Sequence, residues 1–152
     1  MESLKMEEII IILKNEISQS IHLINTIPND FGIGVSPQYV RPVIEALIHQ
    51  FKIYHLSAIT GQQWVKEPSQ IELIYHFWNG KGLSIHTILK RDNPQIPSII
   101  DIIPGADFYE REVSEMYGVR FVNRPNMPPL LLPDDWQGVP PMLLLENEDE
   151  QN

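Results

Sequence analysis

The chain has 152 residues, the length of one ordinary domain, and 43% of them are hydrophobic, which suits a folded protein rather than a disordered one. A formal charge of −9 leaves no basic stripe to meet phosphates, so the composition excludes a nucleic-acid partner. The absence of cysteine excludes disulfides, thiolate zinc sites and cysteine-held iron–sulfur clusters, so any redox role would not route electrons through a cluster held here.

In chain order, Leu4, Ile10, Leu13 and Ile17 share one side of a predicted helix over residues 3–17. Its apolar run, Ile9–Leu13, sits between Glu7, Glu8 and Lys14 and is too short to span a bilayer. It also lacks the basic start and the small-residue cleavage site of a signal peptide, so a cytoplasmic, soluble chain is expected. Residues 19–27 alternate as a strand, Pro28-Asn29-Asp30 marks a turn, and a short strand over 31–35 follows. Ser36-Pro37 reads as a helix start, a cap residue before proline at the first helical position. Val40, Val43, Ile44, Leu47 and Phe51 carry that helix to a strand over 51–60, which Gly61 should end.

The clearest local signal is a hairpin, residues 71–78 and 83–90 around Asn79-Gly80-Lys81-Gly82. Residues 91–97 read as loop and 97–103 as a helical turn or two. This order predicts an α+β fold, an antiparallel sheet with helices packed on one face, over residues 1–122. An extended proline-rich strap over 123–145 and an acidic tail over 146–152, expected to be disordered, complete the domain plan.

A further helix is predicted over 107–118. Asp107 and Glu110 have capping-box spacing, and Gly118 suits a left-handed stop. A helical wheel places Phe108, Tyr109, Val113, Met116 and Tyr117 on one half, with Glu112 inside that arc and Glu110 and Glu115 outside it, facing solvent. A carboxylate inside an apolar arc needs a partner, and three readings stay open. Glu112 could pair with Arg120, Arg124 or Arg41, meet charges on another subunit together with Arg111, or act as a general acid.

Six of the thirteen prolines fall between Pro125 and Pro141, where neither helix nor central strand can form. Yet Met127, Leu130, Leu131, Leu132, Trp136, Val139 and Met142–Leu145 are apolar, and burying each is worth roughly 1.5–3 kcal/mol. Such a segment must lie against something. Asp134-Asp135-Trp136 reads as a turn anchored by the tryptophan, in preference to a metal or catalytic carboxylate pair. His76 and His86, on the two hairpin arms, lack a third ligand in view, and Ser57, Ser84 and Ser114 lack a nucleophile-elbow context.

Phe108-Tyr109-Glu110-Arg111-Glu112, Tyr117-Gly118-Val119-Arg120-Phe121 and Leu132-Pro133-Asp134-Asp135-Trp136-Gln137-Gly138 closely resemble one signature. It is that of the 30 kDa-type C subunit of proton-pumping NADH:quinone oxidoreductase (complex I) and its counterparts in energy-converting membrane-bound nickel–iron hydrogenases. The similarity extends more weakly through His55–Gly61 and Tyr75-His76-Phe77, covering about residues 36–140.

The resemblance implies a non-catalytic α+β assembly subunit without cofactors, docked on a large catalytic subunit, quinone-site or nickel–iron. Iron–sulfur clusters, and nickel–iron where present, would lie in that partner and in iron–sulfur small subunits. The chain would then be cytoplasmic and reach the membrane only through the complex. Partner-binding residues implied are Arg111, Glu112, Arg120, Arg124, Leu130, Leu132, Asp134, Asp135 and Trp136.

Complex I members usually carry Gly-His-Pro and an arginine pair before the leucines, and a basic Leu-Arg-Lys-Asp after the last proline. Here those places read Asn123-Arg124-Pro125, Met127-Pro128-Pro129 and Pro141-Met142-Leu143, which resembles the shorter hydrogenase-type relatives more. The C subunit of NADH:quinone oxidoreductase proper is the alternative. A stand-alone enzyme using Glu112 with Asp134 or Asp135 as acid and base is the alternative of another class.

Overall fold

A computed structural model of the chain describes residues 5–27, 30–125 and 127–144. Leu4, the Pro28-Asn29 part of the expected turn, Leu145 and the acidic tail lie outside the described residues. In chain order the elements are α1 (Met6–Glu16), β1 (His22–Ile27), β2 (Asp30–Gly34), α2 (Pro37–His49) and β3 (His55–Trp64). They continue as β4 (Glu67–Trp78), β5 (Gly82–Lys90), β6 (Gln95–Pro97), α3 (Ala106–Tyr117) and β7 (Arg120–Val122). The fold is α+β, with a five-stranded sheet in the order β1-β2-β5-β4-β3 and a two-stranded sheet, β6-β7.

An antiparallel sheet is expected from the strand pattern, and the structure corrects this. β1 and β2 form an antiparallel pair whose ladder skips Ile24, but β2 runs parallel to β5, Ile33 opposite Ile85. Parallel neighbours need a long connection, and α2, β3 and β4 supply it. The sheet is therefore mixed.

The chain divides into two compact units, and β3, β4 and β5 contribute residues to both. In the first (Met1–Ala58 with Ile74–Thr87), Met6, Ile9, Ile10 and Leu13 of α1 repeat at helical spacing and are buried. Val40, Val43, Ile44 and Leu47 do the same on α2. They share this unit's core with Ile21, Ile33, Tyr75 and Ile85, each fully or almost fully enclosed. Helix α2 begins at Pro37 as expected, although the Ser36 hydroxyl makes no cap bond, and it ends at His49, two residues before Phe51.

The second unit (Ile59–Leu73 with Ile88–Asn152) has its own core of Ile59, Ile71, Leu73, Leu89, Ile96, Ile99, Val113 and Phe121. Gly61 does not end β3, which runs on to Trp64. A Cβ there would lie 2.7 Å from Cδ2 of Tyr117, so the glycine makes room for an aromatic ring rather than breaking the strand. The segment expected to be loop contains β6, which pairs in parallel with β7, Ile96 opposite Phe121. Gly118, at φ 72°, ends α3 in the left-handed conformation.

Candidate functional site

Helix α3 and the strap after it belong to the second unit, and every interaction that joins them lies within that unit. The helix starts at Ala106 behind Gly105, after turns closed by Ala106 N–H to Ile103 O and Asp107 N–H to Pro104 O. Asp107 is therefore inside the first turn, not a cap, and the expected capping box does not form.

The buried positions of α3 are Ala106, Glu110 and Val113, at i, i+4 and i+7. This corrects the wheel. Glu110, expected in solvent, is 0% exposed, and Glu112, expected in the apolar arc, is exposed and needs no buried partner. Phe108, expected on that apolar half, is 61% exposed.

Glu110 is enclosed because the β6–β7 pairing brings three donors to it. Ser98 Oγ donates to its Oε2 at 2.7 Å, the Ile99 N–H to Oε1 at 2.8 Å, and Arg124 Nη1 to Oε2 at 3.1 Å. Ser98 and Ile99 follow β6, and Arg124 follows β7 past Asn123, whose positive φ turns the chain. Burial pushes the Glu110 carboxyl above its ordinary value, opposed by those bonds. Arg124, with 5% of its side chain exposed, also donates to Asp107 Oδ1 at 2.6 Å, and that bond holds Asp107 below the usual carboxylate range.

One turn further on, α3 grips the strap. Arg111 donates from Nε to Pro128 O at 3.2 Å and from Nη2 to Pro129 O at 2.9 Å. Glu115 receives the successive backbone N–H groups of Leu130, Leu131 and Leu132, the last two at 2.7 and 3.2 Å. Partial burial would raise its carboxyl, but these three bonds and the Arg111 charge outweigh that and hold it below the ordinary value. Glu115, expected in solvent, is instead the strap's anchor.

Farther along, Trp136 folds back over Gly138, its indole N–H reaching Val139 O at 3.3 Å. The Met142 N–H donates to Met116 O at 3.0 Å, and the Leu144 N–H to Gln63 Oε1 at 2.8 Å. A groove of about 550 Å³ runs between helix and strap, lined by Arg111, Ser114, Glu115, Met127, Leu132 and Trp136 among others.

The remaining expected site residues fall as follows. Leu130 and Leu132 are half-buried, while Leu131, Trp136, Val139 and Met142 are exposed. Arg120 is exposed and hydrogen-bonds Gln95, and Arg41, in the first unit, pairs with Glu45 at 3.0 Å. Asp134 and Asp135 are exposed; of these two and Glu112, only Asp134 lines the groove. Acid–base catalysis by such a set would require convergence in a desolvated cleft, and these side chains stand in solvent.

In the first unit, burial and then the neighbouring His86 lower the His76 pKa, while Asp30 raises it. Among the described residues no group of three or more His, Asp or Glu is placed to hold a metal.

The family model of the respiratory-chain NADH dehydrogenase 30 kDa subunit matches residues 33–143, which run from the end of β2 through α3 and along the strap. The chain belongs to that family. It is thus a 30 kDa-type subunit of a multi-subunit respiratory complex and works beside protein partners.

The chain is 32% identical over 111 residues to the C subunit of the F420H2 dehydrogenase of Methanosarcina mazei, covering 71% of this chain and 70% of that one. It is 38% identical over 89 residues to the combined C/D subunit of the NADH-quinone oxidoreductase of Phocaeicola vulgatus, 56% of this chain but 17% of that longer protein. Among solved structures it resembles a chain of the membrane-bound sulfane sulfur reductase, an archaeal respiratory membrane complex. That likeness has a TM-score of 0.76 at 26% identity, over 89% of this chain and 81% of the other. No helix among the described residues is long and apolar enough to cross a membrane.

Proposed function

We propose that this chain is a non-catalytic assembly subunit of a complex I-like, membrane-associated oxidoreductase of the shorter, hydrogenase-related kind. It docks through its strap on the large catalytic subunit. The observation that carries this reading is the division of labour within the strap. Its backbone is tied to α3, whereas Leu131, Trp136, Val139 and Met142 turn 45–60% of their surface to solvent. An apolar row held outward by polar backbone contacts is a surface made for another protein.

The likeness to the sulfane sulfur reductase chain and to the F420H2 dehydrogenase subunit supports the choice of complex, since neither is named for NADH. The C/D relative supports the choice of partner. There a stretch like this chain is joined to a D portion in one polypeptide, and a D-type subunit is accordingly the partner proposed for the separate chain. Iron–sulfur clusters and any nickel–iron centre then belong to the partners, and the subunit sits on the cytoplasmic side, peripheral to the membrane. Membership in NADH:quinone oxidoreductase proper is the second reading, favoured by the identity to the C/D protein.

The test is to tag the chain, solubilise membranes and isolate the native assembly. Co-isolation with a large catalytic subunit is expected, and NADH-driven quinone reduction by the isolated assembly would mark the second reading rather than the first. Trp136→Ala should lower recovery of the assembly about 30-fold, the scale of an aromatic hot spot, and leave the melting of the free chain almost unchanged. A free chain that associates with no large subunit, or equal loss of folding and assembly in the variant, would refute the proposal.

A further inference from the structure

We infer that Arg111 and Glu115 are positioning residues that build the docking surface before the partner arrives, rather than contacts with the partner itself. The inference rests on the proposed docking role and names how that site is made. Pro128 and Pro129 have carbonyls but no N–H, so this stretch of strap offers only acceptors. Leu130, Leu131 and Leu132 follow with three N–H donors in a row. On α3 the order is cation, then one turn later anion, and the two patterns meet in register. Arg111 takes both proline carbonyls, and Glu115 takes the three leucine amides. Successive amides converging on one anion form a concavity that fixes the backbone between them.

Fixing that backbone decides which leucine faces out. Leu130 and Leu132 turn half inward and Leu131, between them, is 60% exposed. The Arg111 side chain, 14% exposed, is spent on this task, on a pair with Asp107 at 3.5 Å and on its stack over the exposed Phe108 ring, 5.7 Å from the centroid. A segment with this many prolines cannot order itself by helix or ladder bonds, so without the clamp it would be ordered only on binding. That ordering cost would weaken association. The clamp removes it in advance.

Hydrogen exchange of the full-length chain tests this directly. A peptide over 127–133 reports only the amides of the three leucines, because Met127 becomes its N-terminal amine and its other residues are prolines. Protection of the leucine amides by about tenfold or more over the unstructured-chain rate is expected in the wild type. Glu115→Ala should abolish that protection, and Glu115→Gln, with one acceptor oxygen left, should keep part of it. Exchange in β4 and β5 should stay unchanged in both.

Arg111→Lys keeps the charge but cannot fork between two carbonyls, and should give a partial loss even if the alanine variant folds poorly. In the assembly experiment Glu115→Ala should lower recovery about tenfold with little change in melting temperature. Trp136→Ala should lower recovery while leaving the leucine amides protected, separating contact from positioning. Leucine amides that exchange freely in the wild type, or a Glu115→Ala chain that assembles normally, would overturn the inference. A wild-type chain found in no membrane assembly sinks the docking role instead, and the exchange data still decide whether the clamp exists.

Discussion

Removing Arg124 is the sharpest test of how this domain is held together. In Arg124→Ala the Glu110 carboxylate, 0% exposed, keeps Ser98 and the Ile99 amide but loses its cationic partner. An uncompensated buried charge costs about 3–5 kcal/mol, yet the carboxylate can escape by taking up a proton. That escape sets a ceiling. From an ordinary glutamate value, protonation costs about 3.7 kcal/mol at pH 7 and about 1 kcal/mol at pH 5. Because the wild-type carboxyl is already raised, the Glu110 share of the loss should fall below these ceilings, at about 2–3 kcal/mol at pH 7, lowering the melting temperature by roughly 4–12 °C, and should shrink to less than about 1 kcal/mol at pH 5.

The sign follows from the direction of the shift. A carboxyl raised in the folded state contributes stability below its unfolded value and loses it as pH rises through the folded one, and deleting the arginine raises Glu110 further. Asp107 also loses Arg124, but its carboxyl stays ionised from pH 5 to 7, so its share does not vary across that window. Urea unfolding followed by circular dichroism at the two pH values measures both quantities. A loss under 1 kcal/mol at pH 7, or an equal loss at pH 5 and pH 7, would refute the argument.

Gly61→Ala should cost about 1–3 kcal/mol in urea unfolding, because its methyl would press on the Tyr117 ring; Tyr117→Leu in the same chain should recover part of it. Gly118→Ala forces a side chain into a left-handed residue with Pro140 3.1 Å away, and a loss of about 1–2 kcal/mol is expected by the same measurement. The Glu115 carboxyl is lowered in the folded state, so its hold on the strap is complete above the ordinary glutamate range and is lost as pH falls through the folded value. The protection of the 130–132 amides, taken against the unstructured-chain rate at each pH, should fall below about pH 4 before that of the β4–β5 amides, and simultaneous release would contradict the clamp.

Features written in local spacing were legible in the sequence: α1 with Ile10 and Leu13 on its buried side (Met6 and Ile9, not foreseen, share it), the Ser36-Pro37 start of α2, the turn between β4 and β5, and the Gly118 stop. Those set by distant partners were not. The parallel pairing of β2 with β5 joins strands about 50 residues apart, and no periodicity within either reports it. Gly61 looks like a terminator because the ring that needs its bare backbone belongs to Tyr117. The wheel chose the face of α3 from the apolarity of Phe108 and Met116. The structure chose it from Ser98, Ile99 and Arg124, which reach Glu110 from 11 to 14 residues away.

The same logic explains why one short helix carries so many charges. Of its carboxylates, Glu110 ties the helix inward to the turn after β6, Asp107 shares Arg124 with it, and Glu115 ties the helix outward to the strap. Arg124 and Arg111 complete the two clusters, and both arginines reach Asp107, at 2.6 and 3.5 Å. Asp107 therefore couples the core clamp to the strap clamp. Loosening the inner cluster should be felt in the outer one, so that Arg124→Ala, measured at pH 7, raises the exchange of the leucine amides even where the chain remains folded. Leucine amides as protected in that variant as in the wild type would mean that the two clusters act independently, and that the strap is held by Arg111 and Glu115 without help from the core.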